Sequence, residues 1–145
     1  TQSPALAAAN ALAIERASAE TELRAARMRD ARAAFLAGLA ASGAEHRLLT
    51  PRAHSVPNTA MLHFPGIDGR NLLPALDLAG VHASHGSACS SGSPLPPRIL
   101  GAIGLDDETA RACVRISLGW RDEANTNQDA GRRTGEVVRR RQEKN

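Results

Sequence analysis

The residues best equipped for chemistry stand in the run SHGSACSSGS, Ser84 to Ser93, where one thiol, Cys89, lies among five serines and two glycines. Free cysteines usually behave as small buried hydrophobes. Nothing in this run is bulky enough to pack a core, and its glycines and serines favour a loose backbone. A thiol in such a setting reads as a nucleophile: only a few per cent is thiolate at pH 7, yet the group is intrinsically very reactive. A Gly/Ser loop can also carry it from one partner to another. The competing reading is an incidental surface cysteine. Arg115 is the second candidate. In CVRISLG, Val114, Ile116 and Leu118 share one face of a strand, and Cys113, Arg115 and Ser117 the other. A guanidinium opposite the apolar face can grip a carboxylate through two parallel N–H bonds, or it can be an exposed arginine that pairs with nothing. The segment HASHGSAC adds two imidazoles, His82 and His85, to the thiol of Cys89 and so raises a metal reading. Zinc needs a fourth ligand and fixed geometry, and on a strand the two histidines point to opposite faces. Cys113, beside Val114, reads as packing; His54 and His63 carry no signal.

These residues need elements to position them. Ser3 and Pro4 are an N-cap and a first helical residue, and from Pro4 to about Ala41 nearly every residue is a good helix former. Met28, Phe35 and Leu39 share a face, and Gly43 supplies the stop. The spacing predicts one long helix, or two with a bend. HRLL (46–49) reads as a strand; TAMLHF alternates, with Ala60, Leu62 and Phe64 on one face. RNLLPALDLAG is a helix ended by Gly80, in which Pro74 is awkward unless the helix begins late enough to put it in the first turn. VHASHG is a short strand entering the Cys89 run. PPRILGAIG and DDETARAC are two short helices, the second starting at an acidic turn that suits its dipole. The segment from Thr126 to Arg141 is helical by composition but weakened by Gly131 and Gly135. Together these give an α+β domain with a short, mainly antiparallel sheet, flanking helices and a long helical lead-in.

Composition narrows the classes. The chain has 145 residues, 42% hydrophobic but only 2% aromatic, so a core built largely on alanine is thin for its length. The net charge of +3 comes from arginine, concentrated near the C-terminus, and the only lysine is Lys144. No aromatics interleave with that basic tail to stack on bases, so it reads as a solvated helix face and no nucleic-acid partner is expected. No apolar run is long enough to span a bilayer, so no membrane association is expected. Without a secretory signal pattern ahead of the two cysteines, the reading is cytoplasmic, with both thiols reduced.

The run from Pro57 to Trp120 resembles the C-terminal part of the cysteine desulfurases, pyridoxal-phosphate enzymes of the class V aminotransferase type. The motifs that carry this are Pro-Asn-Thr, Phe-Pro-Gly, Gly-Ser-Ala-Cys-Ser-Ser-Gly and Arg-x-Ser-Leu-Gly, in the family's order. The Ser-Ser-Gly after the thiol is similar to the first, NifS/IscS-like group, which carries its cysteine on a long loop. The resemblance implies the small C-terminal domain of a fold-type I enzyme: residues 1–43 as the helical connection from a large domain, 44–125 as the small domain with the cysteine loop, and 126–145 as a C-terminal helix and basic tail.

For the site, the resemblance implies that Cys89 is the catalytic nucleophile, converting L-cysteine to L-alanine while holding the sulfur as a persulfide. Arg115 binds the substrate carboxylate, and Thr1 is similar to a threonine that contacts the cofactor phosphate of the neighbouring subunit. No metal site is implied. The implied cofactor is pyridoxal 5′-phosphate, the implied assembly of the complete enzyme is a homodimer, and the implied acceptor is an iron–sulfur scaffold or another sulfur-accepting protein. The family's Schiff-base lysine, normally in a Ser-x-His-Lys setting, is absent here. Without that imine there is no electron sink, so the chain alone is expected to be inactive. Two other readings stay open: a stand-alone sulfur-relay module or inactive remnant, and a small metal-binding protein using His82, His85 and Cys89.

Overall fold

The computed structural model describes residues 3–50, 55–86 and 95–144. The helical lead-in is two helices, α1 (Pro4–Ala19) and α2 (Thr21–Ala41), broken at Glu20. Ser3 caps α1 by accepting a hydrogen bond from the Leu6 N–H, with Pro4 in the first turn. No residue of α1 is buried, whereas α2 buries Ala31, Arg32, Phe35, Gly38 and Leu39.

Among the described residues three strands form, β1 (Arg47–Leu48), β2 (Thr59–His63) and β3 (Cys113–Ser117), ordered β1-β2-β3 and antiparallel throughout, with β2 and β3 following the expected alternation. Ala60 lies opposite Ile116 and Leu62 opposite Val114. This register sets all four on one face, where they join Phe35 and Leu39, Leu72 and Leu76 of α3 (Gly69–Leu78), and Val138 of α6 (Ala124–Gln142) in the main core. The other face carries a smaller cluster, Leu100, Ala110 and Cys113, covered by the five-residue helices α4 (Arg98–Ala102) and α5 (Asp107–Arg111).

Two features that read as awkward in the sequence find their place in the fold. Pro74 is not in the first turn of its helix: α3 starts at Gly69, capped by the Asp68 carboxylate on the Arg70 N–H, so Pro74 is interior. Its ring is exposed, and the missing N–H leaves the Arg70 carbonyl without its helical donor. Gly131 and Gly135 do not interrupt α6. A Cβ on Gly131 would overlap the Phe35 carbonyl oxygen, one on Gly38 the Gln128 carbonyl oxygen, and one on Gly135 the Ser42 side chain. The glycines let the backbones of α2 and α6 approach closely, and this contact is the most extensive between any two elements. The lost helix propensity, about 1 kcal/mol per glycine, is offset by packing that no larger residue allows.

Two further ties fasten α2. Buried Arg32 donates to the Thr50 carbonyl (2.6 Å), the Thr50 hydroxyl (3.1 Å) and the Ser55 hydroxyl (3.2 Å). Arg24 and Arg121 stack on Trp120 with guanidinium carbons 4.7 Å from the ring centroid, and Arg27 lies at 5.9 Å. Among the described residues no helix is long and apolar enough to cross a membrane.

Candidate functional site

Arg115 sits in the middle of β3, opposite Met61 on one side. On its other side Ser84 makes an isolated antiparallel bridge. The Arg115 N–H donates to the Ser84 carbonyl at 2.7 Å and the Ser84 N–H donates back at 3.0 Å. Of the strand expected in VHASHG, this bridge is the part that forms. It fixes two backbones side by side, and the side chains follow: Arg115 Nη2 donates to the Ser84 hydroxyl at 3.3 Å. Arg115 Nε is buried with no partner among the described residues. A buried N–H left without an acceptor is costly unless something arrives to accept it.

One residue further on, His85 Nδ1 lies 2.7 Å from the Cys113 carbonyl. A carbonyl only accepts, so Nδ1 carries the proton and, in the neutral ring, Nε2 is the basic nitrogen. Nε2 is buried and without a partner among the described residues. The ring fits because residue 69 is glycine: a Cβ there would lie 2.6 Å from both His85 Nδ1 and the Cys113 carbonyl oxygen. Gly86, with φ +76°, then turns the chain against Pro97, whose Cγ would lie 3.2 Å from a Cβ at position 86. The segment entering the Cys89 run is therefore pinned to β3 at Arg115 and Cys113, and Gly86 lies against Pro97.

Cys89, Thr1 and His54 lie outside the described residues. Cys113 is the thiol that the structure places. It is buried, its Sγ donates to the Thr109 carbonyl at 3.1 Å, and burial pushes its pKa up to about 11, against a smaller opposing effect of Arg47. Such a thiol is neutral and inert near pH 7. His82 Nδ1 lies 3.2 Å from the Asp77 carboxylate on a side chain 90% exposed. No group of three His, Cys, Asp or Glu among the described residues is arranged for a metal. A cavity of about 510 Å³ opens beside the end of β2, lined by His63, Asp68, Asp106, Thr109 and Arg111. There burial, then Arg47, lowers the pKa of His63.

Ser84 and Gly69 were not singled out by sequence reasoning. The signal for Ser84 was the strand reading of VHASHG, but a strand alone does not say which neighbour it pairs with. Gly69 had no signal, because its partner His85 is brought to it only by the fold.

No family model matches the chain. It is 38% identical over 120 residues to the cysteine desulfurase IscS of Clostridium botulinum strain Hall, covering 81% of this chain and 28% of that protein. It is 36% identical over 107 residues to the cysteine desulfurase IscS of Dictyoglomus turgidum, covering 74% and 27%. Among solved structures, a NifS-like protein superposes with a TM-score of 0.72 at 27% identity, over 89% of this chain and 32% of that one. Its relatives are NifS/IscS-like cysteine desulfurases. The chain spans about a third or less of the length of these proteins and corresponds to their C-terminal portion. A NifS-like protein from Rickettsia africae shares the fold, with a TM-score of 0.63 at 19% identity.

Desulfurases of this family use pyridoxal phosphate, and the described residues do not hold it by themselves. The single lysine, Lys144, is exposed and lines a cavity with Ala75, Leu78, Arg140 and Arg141 rather than with Arg115. Among the described residues, no amine stands beside Arg115 to form an imine there.

Proposed function

We propose that the chain is the substrate-gripping and sulfur-carrying portion of a pyridoxal-phosphate-dependent cysteine desulfurase. The observation that carries this reading is Arg115: a guanidinium whose buried Nε–H has no partner among the described residues, tied through Ser84 to the segment that leads into Cys89. The desulfurase relatives support it independently. In this reading Arg115 orients L-cysteine by its carboxylate, and Cys89 takes the sulfur. The overall change is Cys89–SH plus L-cysteine giving Cys89–S–SH plus L-alanine, balanced without an external oxidant or reductant. Pyridoxal phosphate, held in the complete enzyme outside this portion, supplies the electron sink for carbon–sulfur cleavage. The persulfide then passes to an acceptor, an iron–sulfur scaffold or another thiol-bearing protein, from a cytoplasmic homodimer to which Thr1 contributes a contact with the neighbouring subunit's cofactor phosphate.

Mass spectrometry of the complete enzyme after incubation with L-cysteine tests this. The peptide containing Cys89 gains one sulfur atom, and Cys89→Ser abolishes both that gain and alanine release. Full alanine release by Cys89→Ser, or sulfur found on Cys113 instead, overturns the assignment.

A further inference from the structure

Arginine meets a carboxylate most firmly along one edge, where Nε–H and one Nη–H run parallel. Arg70 shows that geometry in this molecule, with Nε and Nη2 on the two carboxylate oxygens of Asp68 at 3.1 and 2.6 Å. On Arg115 the same two nitrogens are differently placed. Nε has no partner among the described residues, while Nη2 donates to the Ser84 hydroxyl. A hydroxyl accepts through its lone pairs and still has a proton to give. No acceptor for that proton is present among the described residues, so Ser84 carries an uncommitted donor beside the open edge of the guanidinium.

Resting on the reading of Arg115 as the carboxylate site, we propose that Ser84 is a second substrate-binding residue, its hydroxyl donating to the same carboxylate that Arg115 grips. The backbone makes this a built arrangement. The reciprocal bonds of 2.7 and 3.0 Å between residues 84 and 115 set the hydroxyl against the guanidinium by strand register. Three donors then converge: Arg115 Nε–H, Arg115 Nη2–H and Ser84 Oγ–H. A ligand carboxylate has lone pairs for all three, and its arrival satisfies the buried Nε–H. Because Ser84 also begins the segment leading to Cys89, a carboxylate held between Ser84 and Arg115 ties substrate occupancy to the root of that segment.

The side-chain Nε–H resonance of Arg115 reads the site directly. The complete enzyme, labelled on nitrogen, is titrated with L-cysteine and, separately, with L-cysteine methyl ester. Ser84→Thr and Ser84→Val are compared, since both are β-branched and suit extended backbone equally, and they differ in shape only by hydroxyl against methyl. Ser84→Thr binds L-cysteine within about twofold of the wild type, and Ser84→Val binds about tenfold more weakly, as expected for one lost charge-assisted hydrogen bond. The ester leaves the Arg115 signal where it was. Equal affinity of the threonine and valine variants overturns the role of Ser84 and leaves Arg115 standing. An Arg115 signal that L-cysteine does not move in any variant overturns the carboxylate site itself.

Discussion

On one face of the sheet Ala60, Leu62, Val114 and Ile116 press against α2, α3 and α6; on the other, Met61 and Cys113 meet only Leu100, Ala110 and their half-buried neighbours under two single-turn helices. The first face contains the fully buried large side chains that hold the domain together. The second contains Arg115, Ser84 and His85, with two buried nitrogens left without partners among the described residues. Stability and the candidate chemistry are thus separated by the thickness of one sheet. The period-2 alternation of β3 makes the separation possible, since Val114 and Ile116 bury on one side whatever Arg115 does on the other. Unpartnered polar groups are tolerable on the thin face because the thick one supplies most of the buried apolar area.

Substitutions on each face sharpen the contrast. The largest effect is expected from Phe35→Ala on the thick face, which removes a fully buried ring and should cost about 4 kcal/mol in a denaturant melt. A loss below about 1 kcal/mol would mean that α2 is not part of the core that supports the sheet. Next is Gly131→Ala. At an ordinary helical position alanine stabilises by about 1 kcal/mol. Here its Cβ would strike the Phe35 carbonyl, so a loss of about 2 kcal/mol is expected as α2 and α6 are forced apart. A gain in stability would show that the close helix contact is absent in solution.

The smallest effect is expected on the thin face, from Cys113 and pH. Burial raises its thiol pKa from 9.0 to about 11 in the folded chain, so between those values the unfolded chain has lost a proton that the folded chain keeps. The contribution of this thiol to stability is full below about pH 9 and is lost as pH climbs toward 11. Cys113→Ala should flatten that part of the profile, and wild-type alkylation at neutral pH should spare Cys113. Rapid labelling of Cys113 in the folded protein at pH 7 would place the thin face in contact with solvent and remove the distinction between the two faces.

Much of this arrangement could be read from residue order. The alternation in TAMLHF and CVRISLG placed Ala60, Leu62, Phe64, Val114 and Ile116 in the core and Arg115 opposite them. Ser3 and Pro4 marked the start of α1, and Gly43, at φ +76°, follows the end of α2. Each of these signals is local: strand period, capping chemistry and left-handed backbone are settled within a few residues.

What residue order could not decide involved partners distant along the chain. Gly131 and Gly135 read as weak points of a helix because propensity counts only the helix they sit in, and the reason for them lies on α2. α1 and α2 look alike as helix formers, yet only α2 buries residues, since burial depends on what a helix lies against. The pairing of Ser84 with Arg115 and the space Gly69 leaves for His85 likewise arise from contacts across the sheet. The sequence by itself determined where the two longer strands and the helices lie, which strand face is apolar and which motifs resemble the desulfurases. Only the tertiary structure decided how closely α2 and α6 approach and which hydroxyl stands beside the arginine. Those depend on distances between segments that local backbone preferences do not encode.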